Sequence, residues 1–251
     1  LLGALVFNYI ITDIVWYDLV GVVTIVVVFV TLVAYVFYHR YSPNIRAFLA
    51  RLIAGQLPGP ELATRAWIEA LDLRGITLFC QDWGSLVGLR LVAEHEERFA
   101  RVVVGNGFLP TGGSPSGAGL RALGGGAAFL AWRGFARVTP RLPISRILQL
   151  GTRRRLDAEE LRAYEAPFPD ERYKAGARVF PRLVPISPRD PAVPACRKAW
   201  EGLERWERPF LTTFSDGDPI TRGLDRLLRD RIPGARGMPH RTVRGGHFLQ
   251  E

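Results

Sequence analysis

Residues 76–95 read ITLFCQDWGSLVGLRLVAEH. Residues 76–80 are a short apolar run of strand type, and residues 86–94 have the composition of a helix. Between them stand Gln81-Asp82-Trp83-Gly84-Ser85. Cys80 and Gly84, two before and two after Asp82, are small enough for a sharp strand-to-helix turn. Such a turn lifts the side chain between them above the sheet, as in a nucleophile elbow. Here that side chain is a carboxylate. A carboxylate can attack an sp³ carbon and form an ester. The same residue at the same place can also be a plain helix N-cap, and the sequence leaves both readings open.

Outward from this segment, residues 101–104 form a second strand-like run, ended by Gly105-Asn106-Gly107. A third, 209–214, runs into Ser215-Asp216-Gly217-Asp218-Pro219. A helix is expected near 224–230 and a last strand near 241–243, leading to Gly245-Gly246-His247. Residues 61–71 have helical spacing, with Leu62, Ala66, Trp67 and Ala70 on one side. Strands alternating with helices imply an α/β fold with a parallel sheet. Residues 108–206 are rich in Gly, Pro and Arg and lack that alternation, which reads as an inserted helical lid. Asp82, Asp218 and His247 each follow a strand. Their order, nucleophile then acid then His, is that of α/β-hydrolases. Asp218 could instead open a turn before Pro219, and His247 could be a surface loop residue.

The rest of the chain differs in character. It has 251 residues and a net charge of +9, yet residues 1–38 hold no Lys or Arg and only two acids, Asp13 and Asp18. All 33 basic residues and 22 of the 24 acids follow, an excess of +11. Of those bases 31 are Arg, scattered among acids, with Arg153-Arg154-Arg155 the longest run. That is compositional bias and not a nucleic-acid-binding stripe. Cys80 and Cys196 are far apart and without metal-ligand spacing, so neither a disulfide nor a metal site is expected. Residues 19–38 (LVGVVTIVVVFVTLVAYVFY) carry no charge and are long enough for a transmembrane helix. Trp16, Tyr17, Tyr35, Tyr38 and Tyr41 flank or end the run. Arg40, Arg46 and Arg51 follow it, which puts the body on the cytoplasmic side. The expected organisation is an apolar head (1–41), a linker (42–60), a partial α/β-hydrolase core (61–107 and 207–251) and a helical cap (108–206). If the head is foreign to the gene, the body is simply cytoplasmic.

From about Leu62 onward the chain resembles the haloalkane dehalogenases, in the branch that holds the halide with two Trp residues. The resemblance rests on 78–95, RVVVGNGFLPTG (101–112), FLAWRGFAR (129–137), 164–195, RPFLTTFSDGDPITRG (208–223) and GGHFLQE (245–251). It implies Asp82 as nucleophile, Asp218 as triad acid and His247 as base. Trp83 and Trp132 would bind the halide, since an indole N–H donates and cannot accept. Phe129, Phe168, Phe180, Pro181 and Val184 would line an apolar pocket. The implied substrates are a small halogenated alkane and water, with no metal or organic cofactor. The family's N-terminal strands and its His-Gly loop, which gives an oxyanion donor, have no counterpart here, and the chain stops four residues after His247. Loss of such a donor typically costs about 10²–10³ in rate, so little or no turnover is expected. The alternatives are an epoxide hydrolase-like enzyme, with Tyr164 and Tyr173 as lid donors, and an inactive membrane-tethered chain.

Overall fold

The structure, a computed structural model, describes residues 60–113 and 119–251, with the backbone alone at 60, 119–126 and 128. The head, the apolar run 19–38 and residues 42–59 of the linker lie outside the described residues. The described residues fall into two units, divided between Asp72 and Leu73. The first contributes helix α1 (Pro60–Ala70). Its buried positions are Ala66 and Ile68, whereas Leu62 and Trp67, expected on the apolar side, are exposed.

The second unit is built on four parallel strands, β1 (Ile76–Gln81), β2 (Phe99–Gly105), β3 (Phe210–Ser215) and β4 (Arg241–Val243), side by side in chain order. Parallel strands are covered on both faces, so they read as near-continuous apolar runs. Here burial is deeper on one face: Val102 and Val104 of β2 and Phe210, Thr212 and Phe214 of β3 are buried, Val103, Leu211 and Thr213 between them are half-buried, and Phe79 of β1 is exposed. Helix α2 (Trp83–Glu94) joins β1 to β2 and lays Leu89, Leu91 and Val92 into the core. Burying such a side chain contributes about 1.5–3 kcal/mol. Gly88 lets α2 lie close on β1, because a Cβ there would stand 2.9 Å from Leu78. The helix begins at Trp83, earlier than the sequence suggests. The chain reverses within the single residue Asp82, so the polar residues that seem to interrupt the pattern form the first helical turn.

Between β2 and β3 run α3 (Gly119–Val138), α4 (Ile144–Gly151), α5 (Ala158–Glu165), α6 (Ala175–Leu183) and α7 (Val193–Leu203). Helix α3 packs on α6 and α4 on α5, whereas α7 packs on α2 beside the sheet. There the buried Trp200 donates its indole N–H to the Leu109 carbonyl at 2.9 Å. Helix α8 (Asp225–Arg231) precedes β4. Among the described residues no helix is long and apolar enough to cross a membrane.

The register fixes where chemistry can occur. Gln81 lies opposite Gly105, and Gly105 opposite Thr213. Asp82, Asn106 and the 216–218 loop therefore leave the sheet along one carboxyl edge, where open α/β sheets bind their ligands. The loop after β4 brings His247 to that edge.

Candidate active site

Asp82 sits between β1 and α2 with φ 46° and ψ −119°. A non-glycine residue in the left-handed half of φ space is strained, and the surroundings must hold it there. Its amide donates to the Asn106 carbonyl at 3.1 Å, and its carbonyl accepts the Ser85 amide at 2.9 Å. Its carboxylate makes no capping hydrogen bond to α2. A residue that merely capped the helix would hold extended backbone and turn its oxygen onto the first-turn amides. Asp82 does neither, and its side chain is 51% exposed. Cys80 beneath it is buried, and burial pushes its thiol up to about 12. It acts as a small inert residue of the elbow.

His247 is buried at the same edge. Its Nε2 lies 3.7 Å from Oδ1 of Asp82, and its Nδ1 lies 3.1 Å from Oδ2 of Asp218. Asp218 is fully buried. Its Oδ1 accepts the Ile220 amide at 2.8 Å, and its Oδ2 also accepts the Thr221 hydroxyl. It thus opens a local turn and faces His247 as well. Burial opposes its charge, but the His247 hydrogen bond and charge hold its carboxyl below the usual range. For His247, burial again opposes the charge. Hydrogen bonds and charges from Asp218 and Asp82 outweigh it and push the imidazole up to about 10.

Of the predicted apolar and halide-binding residues, the structure brings Trp83 and Phe180 together, with ring centroids 4.8 Å apart. Pro181 is buried in α6, and Val184, Phe129 and Phe168 are half-buried. Trp132 is half-buried on α3, its ring 6.0 Å from Phe135. Its helix packs on α6, which carries Phe180. Tyr164 donates its hydroxyl to Glu251, and Tyr173 is exposed. Among the described residues no cluster of His, Cys, Asp and Glu could hold a metal.

Sequence reasoning missed the residues that join these loops. Asn106, with φ 38°, is fully buried and bonds to Ser215, Gly246 and His247. Gln81 donates to the His247 carbonyl at 2.6 Å. The Ser85 hydroxyl lies 2.6 Å from the Asp82 carbonyl and accepts the Phe108 amide at 2.8 Å. The one sequence signal was an Asn between two glycines at a strand end, where a left-handed residue is expected.

An elbow after a parallel strand, with an acid and a His from later strand ends, is the arrangement of the α/β-hydrolase fold. No family model matches the chain. A haloalkane dehalogenase of Psychrobacter cryohalolentis is 45% identical over 232 residues, covering 85% of this chain and 74% of its own length. Another, of Mycolicibacterium paratuberculosis, is 52% identical over 186 residues, covering 74% of this chain; the chain spans 59% of that relative's length. Among solved structures, the haloalkane dehalogenase DpaA of Paraglaciecola agarilytica NO2 superposes with a TM-score of 0.65 at 26% identity, over 76% of this chain and 60% of its own. The chain belongs to the haloalkane dehalogenase family.

Proposed function

We propose that the chain cleaves carbon–halogen bonds of small halogenated alkanes through an ester on Asp82. The observation that carries this is the free Asp82 carboxylate at a strained elbow, facing a His whose other nitrogen is held by a buried acid. In the first step a carboxylate oxygen of Asp82 attacks the halogen-bearing carbon and the halide leaves with the bonding pair. The indole N–H groups of Trp83 and Trp132 are the donors for that halide, and charge stabilisation of this kind is often the largest catalytic contribution. Phe129, Phe168, Phe180, Pro181 and Val184 supply the apolar wall for the alkyl group.

The second step needs a neutral His247. The two facing carboxylates favour the protonated form of His247. Ester formation removes the charge of Asp82 and shifts the imidazole toward its neutral form, which has given its proton to solvent. It can then take a proton from water while the hydroxide attacks the ester carbonyl. The alkoxide leaves with that proton, and the new Asp82 acid returns a proton to His247. The sum is alkyl halide plus water giving alcohol, halide and one released proton. Asp218 acts by fixing the His247 tautomer and orientation.

The test is mass spectrometry of the protein after exposure to a brominated alkane, with halide release followed in parallel. An alkyl adduct on Asp82, absent from Asp82→Asn, is expected even where hydrolysis is slow. No adduct and no halide would refute the reading. Diol formation from an epoxide without halide release would favour the epoxide hydrolase-like alternative, against which Tyr164 is engaged with Glu251 and Trp83 follows the nucleophile.

Membrane attachment through residues 19–38, with the body cytoplasmic, is supported by the charge-free run and the Arg residues after it. Carbonate extraction of membranes from expressing cells tests it. Release into the soluble fraction would refute it and leave the cytoplasmic reading.

A further inference from the structure

We propose that Asn106 and Gln81 are positioning residues: their side-chain amides grip the backbone carbonyls beside His247 and set its ring against Asp82 and Asp218. The proposal deepens the two-step reaction above and rests on it. Asn106 Oδ1 accepts the Ser215 amide at 2.8 Å. This fixes the orientation of the amide, because a reversed one would press its oxygen against two carbonyls. Its Nδ2 then points at Gly246 O (2.8 Å), His247 O (2.9 Å) and Ser215 Oγ (3.0 Å). The Ser215 hydroxyl lies 2.5 Å from Gly246 O and donates to it. Gln81 Nε2 reaches His247 O from the elbow side at 2.6 Å. On the opposite side the His247 amide donates to Gly151 O at 2.7 Å.

The His247 peptide is therefore held from both sides. Two of its three anchors belong to residues that also position Asp82: Gln81 precedes it in the chain, and the Asn106 carbonyl accepts its amide. Nucleophile and base are tied to one another through these two amides and not only through the sheet. Such a tie matters for the second step alone. Attack by Asp82 on the alkyl halide does not use His247, whereas hydrolysis of the ester does. A displacement of about 1 Å in a reacting group can cost 10²-fold.

The experiment uses the full chain, with Asn106→Leu and Gln81→Met, each close in size to the residue replaced. Exposure to a brominated alkane is followed by mass spectrometry for the Asp82 adduct and by halide release, and the His247 imidazole is titrated by NMR. In both variants the adduct forms within about twofold of the unaltered rate. Its hydrolysis slows at least about tenfold for Asn106→Leu and about threefold for Gln81→Met. The imidazole titration moves down from about 10. Gln81→Met keeps the test alive if the buried Asn106→Leu fails to fold, because Gln81 is only half-buried. Equal losses in adduct formation and hydrolysis, or no change in either with an unmoved titration, would overturn the proposal. If the unaltered chain forms no adduct, the proposed reaction fails by itself, and the His247 titration alone still decides the brace.

Discussion

Replacing Asp82 by Asn should move the titration of His247 downward by about one to two pH units from about 10. The charge removed lies 3.7 Å from Nε2. At that distance two unit charges attract by about 4.5 kcal/mol at an effective dielectric of 20 and by about 1.1 kcal/mol in bulk water. His247 is buried but Asp82 is half-exposed, so the contribution falls between these limits, roughly 1.5–3 kcal/mol, where 1.36 kcal/mol corresponds to one pH unit. Asp218 remains, so the imidazole should still titrate above its ordinary 6.5. The assay is an NMR titration of the ring carbon proton of His247 in both proteins, with a His247→Gln variant to assign the signal among four His residues. An unmoved titration would refute the electrostatic coupling. With it would go the argument that alkylation of Asp82, which removes the same charge, shifts His247 toward the neutral form that acts as base.

Asp218→Asn should leave formation of the Asp82 adduct nearly intact and slow its hydrolysis by about 10²–10⁴, seen as accumulated alkyl-enzyme. Trp83→Phe keeps a ring against Phe180 but removes an N–H donor, so adduct formation should fall by about 10²–10³, read by mass spectrometry against the unaltered chain. Gly246→Ala would drive a Cβ into the Gly151 carbonyl. Neither backbone can yield cheaply, so a loss of about 1–3 kcal/mol is expected in denaturant titrations. The raised imidazole of His247 stabilises the fold fully below its unfolded value of about 6.5, and that contribution is lost as pH rises through about 10. Asp218, with a lowered carboxyl, does the reverse: its contribution is present above the ordinary 3.8 and is lost as pH falls below it. Denaturation midpoints should therefore drop between pH 7 and 10.5, and Asp218→Asn should flatten that drop.

The sheet was legible because its strands stand out as apolar runs, and because the turn after β1 demands small residues at Cys80 and Gly84. On its own residues Asp82 stayed open, and only the family resemblance pointed to a nucleophile. An N-cap and an elbow nucleophile share the same letter at the same place, and only the positive φ and the missing capping bond separate them. His247 could be picked from four His residues since it alone follows a late strand. The grip on it could not, because Asn106 and Gln81 bind main-chain carbonyls 140, 141 and 166 residues away. A backbone acceptor is present at every residue, so nothing in the partner's side chain advertises the bond.

What the sequence does carry at these points is the need for room. Gly107 and Gly246 are legible only as glycines, yet a Cβ on Gly107 would stand 2.6 Å from Ser85 Oγ, and one on Gly246 would strike the Gly151 carbonyl. Each glycine lets two loops approach until a side chain or amide can bridge them. Three such close approaches, at Gly107 beside the elbow, Gly217 beside the acid and Gly246 beside the base, lie within three residues of Asp218 or His247 or against the Ser85 turn of the elbow. Tight backbone packing at the carboxyl edge thus does for Asp82, Asp218 and His247 what side-chain packing does for the core. It leaves few alternative loop positions, and so holds a strained carboxylate and a buried imidazole at a working distance.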